Sequence, residues 1–396
     1  MRIGLNLLHA VPEIGGGWNY IANLVALLAE QDHVNEYVAF VTSASAALVP
    51  DRPNIRTVQV GIRPGSRPQR IAFEHSLLQA IARRHDLDCM HWFANSQGIV
   101  NAAPAVVTIY DLQPFSGYAP FSPLKLRYLQ WRLRSTVARA PMLLPMSQAT
   151  ADDLQRVLGA EPERMRVVPP MLEPEFQPAG KADVARIRER YRLPREFWLY
   201  VAHLYPHKNH ERLLEAYQQL KRVDPQAWPL VLRGDKQPVG PDISELIRRF
   251  GLAEDVILVP RLDRGDLPAL YSAASALVFP SLYEGAGMPV LEALACGCPV
   301  AASGIPAVRE FAGGAANYFD PQASHGIAAA MAALAGDSSS RDRLRTAGLE
   351  RARDFRATPV LERLVGAYQR ASRAPRRPAP ARRRGPADAG ISPDQS

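Results

Sequence analysis

The chain has 396 residues, 47% of them hydrophobic and 22% charged, with a formal net charge of +8; at roughly 150 residues per domain this is room for two to three globular domains with separate cores. Three cysteines, Cys89, Cys296 and Cys298, are too few and of the wrong parity for a disulfide framework and fit a reducing cytosol; with one residue between Cys296 and Cys298 they match no metal-ligand spacing and read as small packing residues. No apolar run reaches the roughly 18 residues that a membrane-spanning helix needs.

The first apolar run, 2–8, reads as a β-strand rather than a signal peptide, because no small-residue cleavage site follows it. Gly15-Gly16-Gly17 comes next and opens a helix expected over 18–31. Strands at 37–42, 87–92, 105–110 and 142–146 then alternate with helices at 69–84 and 124–139. The helix at 124–139 carries Lys125, Arg127, Arg132, Arg134 and Arg139 and no acid, with Leu124, Tyr128 and Trp131 at helical spacing. A basic solvent face over an ordinary core stripe is the favoured reading; contact with a membrane surface or a lipid-phosphate acceptor is the alternative.

Pro169, Pro170, Pro174, Pro178 and Gly180 cluster at a hinge near 172–196, ahead of a charged helix at 181–192. A second series follows, with strands at 197–202, 229–233, 255–259, 276–280 and 299–302 and helices at 209–222, 241–250 and 289–296. Continuous apolar strands alternating with helices mean parallel sheets covered on both faces. The expected fold is therefore α/β, with two Rossmann-like doubly wound domains facing across a cleft. The expected bounds are 1–175 and 176–357, then a helix at 358–372 packing back toward the first domain, and a tail at 373–396. The tail has six arginines against two aspartates, is rich in Pro and Ala and lacks aromatics, so it reads as solvated and disordered.

The densest chemistry lies at 275–303. The strand Ala276-Leu277-Val278-Phe279-Pro280 meets a short helix through Ser281-Leu282-Tyr283-Glu284-Gly285-Ala286-Gly287-Met288, with Pro289 at the helix start and Gly297 at its end. Glycines let backbone approach a ligand closely, and a helix amino terminus offers unpaired N–H groups to an anion. This is a seat for a diphosphate. Glu292 ends the first turn and Glu284 precedes it; carboxylates are poor phosphate ligands but good acceptors for sugar hydroxyls. Taken singly, Glu292 has a simpler reading as a helix-dipole partner and Glu284 as a solvated loop charge. Lys208, in Tyr200-Val201-Ala202-His203-Leu204-Tyr205-Pro206-His207-Lys208-Asn209, stands at a strand-to-helix turn where a cation can clamp phosphate. His203, His207, His210 and Glu211 as a metal site is the disfavoured alternative, since the spacing matches no zinc site.

The stretch holding Glu284 and Glu292 resembles the retaining glycosyltransferases of the glycogen-synthase-like group (glycosyltransferase family 4, group 1), whose mark is two glutamates separated by seven residues. The likeness runs from about residue 2 to 370 and implies the two-Rossmann GT-B fold. It implies that Glu284 contacts the transferred sugar and that Glu292 holds the ribose hydroxyls. It also implies that Gly285, Gly287, Met288, Pro289 and Val290 line the donor, and that Lys208 binds the diphosphate. His203 and His207 stand where many members carry arginine. Gly16 and Gly17 resemble the family's glycine-rich loop. Val106-Val107-Thr108-Ile109-Tyr110-Asp111 resembles a strand end at which the family usually shows His-Asp, so Tyr110 replaces a sugar-contacting histidine; Asp111 keeps the acidic position, with capping of the next turn as its alternative. Asp263–Ala273 resembles a further family helix and reads as packing.

The expected activity is transfer of a hexose from a nucleotide-diphosphate sugar, GDP-mannose slightly favoured, to a glycan or polyprenyl-linked acceptor, with protein cations in place of a metal and no cofactor. Cytoplasmic placement is the expectation, with peripheral contact on the inner face of the membrane as the alternative and no nucleic-acid partner. Four rivals are weighed: an epimerase or hydrolase of the same fold, which would lack the paired glutamates; a catalytically dead nucleotide-sugar sensor; a Rossmann oxidoreductase, against which the missing Gly-x-Gly-x-x-Gly counts; and a nucleic-acid-binding protein driven by the basic tail. The folded part shows no aromatic-basic stripe suited to nucleic acid.

Overall fold

The computed structural model describes residues 1–12, 16–237, 239–259 and 262–374. Gly15 and the tail beyond residue 374 lie outside the described residues. Contacts divide the chain into two units, one built from Met1–Phe115, Ser122–Met171 and the segment from Ala357, the other from Ser116–Phe121 and Leu172–Arg356.

The first unit has a six-stranded sheet of β1 (Arg2–Asn6), β2 (Glu36–Val41), β3 (Ile55–Gln59), β4 (Cys89–Trp92), β5 (Ala105–Ile109) and β6 (Met142–Pro145). The order is β3-β2-β1-β4-β5-β6 and every pairing is parallel. This is a doubly wound arrangement whose direction of travel reverses between β1 and β4. Flanking helices are α1 (Gly16–Gln31), α2 (Arg67–His75), α3 (Leu77–Arg83), α4 (Pro123–Arg139) and α5 (Gln148–Leu158). Phe40, Met90, Trp92, Val107 and Leu143 belong to the core that they close.

The second unit repeats the plan. Its strands are β7 (Trp198–Val201), β8 (Leu230–Arg233), β9 (Val256–Val259), β10 (Ala276–Phe279), β11 (Val300–Ser303) and β12 (Ala316–Phe319), in the order β12-β11-β10-β7-β8-β9, again all parallel. The reversal lies between β7 and β10. Its helices are α6 (Lys181–Tyr191), α7 (His210–Val223), α8 (Ile243–Arg249), α9 (Leu267–Ala273), α10 (Met288–Ala295), α11 (Pro306–Ala312), α12 (Ser324–Gly336) and α13 (Ser338–Arg351). The last helix, α14 (Ala357–Ser372), belongs to the first unit and packs on α1, β4, β5 and β6. There the buried His91 takes Tyr368 of α14 on Nδ1 and Thr108 of β5 on Nε2, both at 2.8 Å.

The strands that the sequence reading missed, β3 and β12, are both sheet edges. These edge strands are buried less completely, so their apolar signal is diluted: β3 reads Ile-Arg-Thr-Val-Gln with its three polar residues exposed. The helix expected at 69–84 breaks at Ser76, whose hydroxyl donates back to the Ala72 carbonyl at 2.7 Å, a side-chain bond that competes with helix continuation. The core stripe expected on α4 is corrected. Leu124, Tyr128 and Trp131 are 82, 39 and 52% exposed. A second stripe, Leu126, Leu129, Leu133 and Val137, is wholly aliphatic and turns inward instead. The three cysteines are buried and unpaired, and burial pushes the Cys89 and Cys298 thiols up to about 12. No described helix is long and apolar enough to cross a membrane.

Candidate functional site

At a switch point the strands on either side lead their connections in opposite directions and leave a crevice at their carboxyl ends. In the second unit the loops leaving β7 and β10 meet there. The chain leaves β7, makes a short 3-10 turn over Pro206–Lys208, and enters α7 through Asn209, which has a left-handed φ of 61°. The Asn209 side-chain amide donates to the carbonyls of Pro280 at 3.0 Å and Pro321 at 2.8 Å. Leu282 N–H donates to the His207 carbonyl at 2.8 Å, and the Tyr200 hydroxyl to the Lys208 carbonyl at 2.6 Å. These bonds fix where the next side chain points. Lys208 Nζ lies 2.5 Å from Glu284 Oε1 and 5.9 Å from the centre of the Phe279 ring, with both charged side chains largely buried.

Beyond Glu284 the backbone reaches α10 through Gly287, the residue before the helix, at φ 67°; a side chain there would be strained. Pro289 in the first turn has no N–H to lose. Val290 N–H turns back to the Gly287 carbonyl at 3.0 Å, so Val290 and Pro289 offer no free donor to a ligand. The Ala286, Gly287 and Met288 amides have no protein acceptor among the described residues and are the donors that this amino terminus presents. At its far end α10 is closed by Gly297 in the left-handed region, with Cys298 N–H on the Ala293 carbonyl at 2.9 Å and Gly297 N–H on that of Leu294 at 3.1 Å, the double bond of a Schellman cap.

Glu292 lies on α10 and is only 6% exposed. Its Oε2 accepts from the Tyr271 hydroxyl at 2.8 Å, and its Oε1 lies 3.4 Å from Arg264. Arg264 itself forks onto Glu173, Nε to Oε2 at 2.7 Å and Nη2 to Oε1 at 2.5 Å, and lies over the Phe176 ring at 5.2 Å. Burial raises the Glu292 pKa, and Arg264 and the Tyr271 hydroxyl offset this only in part. Burial also opposes the charge on Arg264, but the Glu173 bond and the Glu292 charge more than offset it, and its pKa is raised. The one cation thus serves two acids.

Arg264, Glu173 and Tyr271 escaped the sequence reading, which took 263–273 as packing. That reading is corrected for Arg264 and Tyr271: both touch Glu292. Arg264 pairs with residues 91 and 28 positions away, a separation no local pattern encodes. Replacing Arg264 by glutamine is expected to lower stability by about 2 kcal/mol, less than the roughly 3–5 kcal/mol of a fully buried pair because the arginine is one-third exposed. Thermal melting of the variant checks this, and about 5 °C is the expected drop.

His203 is half-exposed and faces Asp235, whose backbone N–H donates to its Nδ1 at 3.3 Å while the carboxylate lies 3.7 Å from the same nitrogen. His207 and His210 do not form a metal cluster with it: both are buried, and burial, reinforced by Lys208, lowers them to about 4 and about 3. Glu211 is turned to Arg249 instead. Among the described residues no group of three or more His, Cys, Asp or Glu is placed to hold a metal ion.

The structure therefore gathers His203, Lys208, Glu284, Gly285–Val290 and Glu292 around the β7–β10 switch point. Asp111, Gly16 and Gly17 belong to the first unit. Asp111 follows β5 and caps the next turn, accepting from Gln113 N–H at 3.0 Å. Gly16 opens α1, and a Cβ placed there would meet nothing within 4 Å. Tyr110 packs edge-on against Tyr20 with centroids 5.5 Å apart, and its hydroxyl has no partner among the described residues.

Two family models match the chain: Glycosyltransferase Family 4 over residues 14–176 and Glycosyl transferases group 1 over residues 183–351. The chain is 27% identical over 266 residues to O-antigen chain mannosyltransferase B of Escherichia coli, covering 67% of this chain and 70% of that protein. It is 27% identical over 419 residues to D-inositol 3-phosphate glycosyltransferase of Xylanimonas cellulosilytica, covering 96% and 98%. Other mannosyltransferases are matched over 22 to 56% of their own length. Sucrose-phosphate synthase of Thermosynechococcus elongatus shares the fold, with a TM-score of 0.75 at 22% identity over 93% of this chain and 98% of that one. Two matched models, end to end, account for most of a chain folded as paired Rossmann-like sheets, and the chain belongs to the group 1, family 4 glycosyltransferases.

Proposed function

We propose that the chain transfers a hexose from a nucleoside-diphosphate sugar, with GDP-mannose the favoured donor, to a glycan or polyprenyl-linked acceptor in polysaccharide or lipopolysaccharide assembly, with retention of configuration. One observation supports this most: Lys208 and Glu284 are locked together at 2.5 Å at the β7–β10 switch point, beside the free amides that open α10. In this reading the anomeric carbon–oxygen bond breaks and its electron pair passes to the β-phosphate oxygen. Lys208, which keeps two further N–H donors beside the one on Glu284, and the α10 amides take up the developing charge. His203, just past the end of β7, stands beside them. The acceptor hydroxyl attacks from the face the phosphate leaves and gives its proton to it. Glu284 positions the sugar, and Glu292 receives the ribose hydroxyls on lone pairs that Tyr271 and Arg264 do not use. A role for Asp111, Gly16 and Gly17 rests on the family resemblance alone. The lean toward mannose rests on the Pro206-His207-Lys208-Asn209 stretch and the mannosyltransferase relative.

A thermal-shift screen with UDP-, GDP-, ADP- and dTDP-sugars tests the reading. A ligand at a hundred times its Kd is expected to add about 2.7 kcal/mol of stability, and Lys208→Ala and Glu292→Ala to lose most of that gain. Variants that respond as the wild type does would remove the site assignment. Turnover is expected to persist in excess EDTA, because protein cations do the work of a divalent ion. A product of inverted anomeric configuration would refute retention.

A further inference from the structure

We propose that the outer face of α4 docks the protein onto an anionic bilayer surface. Ten large apolar side chains are exposed among the described residues, and six lie on this helix, on the loop at 99–100 or at the start of α3. On the helix they are Leu124, Tyr128 and Trp131, at positions i, i+4 and i+7, with the two rings 6.2 Å apart. The neighbouring loop supplies Ile99 and Val100, 48 and 58% exposed, and the start of α3 supplies Leu77. They are tied in place: Arg139 donates to the Ile99 carbonyl at 3.0 Å, Ile99 N–H to His75 Nδ1 at 3.0 Å, and Arg132 lies 3.3 Å from His75 Nε2. Scattered exposed apolar residues need no explanation, but a contiguous patch does.

The charges on the same face are of one sign. Arg127 and Arg134 are exposed beside the apolar side chains, and α4 contains no acidic residue. Lys125 is crowded by Arg67 of α2; burial, and then that neighbouring charge, lower its pKa. Like charges gathered this way repel unless an anionic surface covers them. Tyrosine and tryptophan favour the boundary between water and lipid, and an exposed helix with an apolar ridge flanked by arginine matches an interface rich in anionic headgroups. A protein partner would need acids set to match each cation; a bilayer needs none. The surface lies entirely in the first unit and uses none of the donor-site residues.

Co-sedimentation of the full chain with vesicles tests the proposal, using phosphatidylcholine alone and an equal mixture of phosphatidylcholine and phosphatidylglycerol. Binding is expected to the mixed vesicles only and to weaken with salt. Each basic side chain near such a surface is worth roughly fivefold in partitioning, so R127E/R134E is expected to weaken binding at least about twentyfold. The triple change Leu124→Ser, Tyr128→Ser, Trp131→Ser is expected to weaken it about tenfold or more. Because these side chains face solvent, the variants should melt as the wild type does and keep its thermal response to nucleotide sugars. A blue shift of tryptophan emission on mixed vesicles should vanish in Trp131→Phe. Neutralising the tail arginines of the full chain separates the two basic regions: α4-dependent binding is expected to survive. Failure of the full chain to bind mixed vesicles, or loss of binding on tail neutralisation with no effect of the α4 changes, would overturn the proposal, including in favour of a protein partner.

Discussion

Replacing Lys208 by methionine is expected to reduce kcat by at least a hundredfold. Removing one preorganised donor from a charge that develops in the transition state costs on the order of 3 kcal/mol, which is roughly that factor in rate. The same change should also weaken the fold. The Lys208 and Glu284 side chains are 15 and 10% exposed, and removing one partner of a buried pair strands the other at a cost of about 3–5 kcal/mol. These two effects separate in the double variant. Lys208→Met with Glu284→Gln should recover most of the melting temperature, because no buried charge is left unpaired, and recover none of the turnover. Equal rescue of both would reduce Lys208 to a structural residue.

Acidification is expected to unfold the protein well above the usual carboxylate range. Burial holds four histidines down: His9, His91 and His210 to about 3 and His207 to about 4. Their folded values are depressed below the unfolded value of 6.5, so the unfolded chain binds more protons and stability falls as pH drops from about 6.5 toward 4. Each group contributes about 1.4 kcal/mol per pH unit across that window. His9 and His91 belong to the first unit, His207 and His210 to the second, so each unit loses about 2.7 kcal/mol per pH unit. Glu74 and Glu292 act oppositely, because burial raises their values and protonation then favours the folded state, but only once pH reaches those raised values. Urea midpoints measured at pH 7, 6 and 5 check the slope. A flat profile would mean that these rings reach water.

The paired-sheet architecture was legible because each central strand is buried on both faces and must be apolar throughout. Val106, Val107 and Ile109 in β5 and Leu277, Val278 and Phe279 in β10 announce themselves for that reason. β3 and β12 did not, since an edge needs only one good face. The loop and helix around α10 were legible because their parts are local: Gly287, Pro289, Glu292 and Gly297 fall within one turn and one helix. Arg264 and Glu173 were hidden because their partnership is made only by the fold, across 91 positions. The orientation of α4 was misjudged for a related reason. Its sequence holds two apolar stripes, and only the core decides which one it keeps.

The bond between His91 and Tyr368 spans 277 positions, and α14 closes the first unit only after the second has been written into the chain. A ribosome therefore delivers the whole of residues 172–356 before the first sheet receives its last helix. Until then His91 waits without the phenol that satisfies its Nδ1, and α1, β4, β5 and β6 lack the cover of α14. Vectorial synthesis favours completion of the internal Rossmann-like unit first, and a ribosome stalled short of residue 357 would leave the amino-terminal half as a chaperone client.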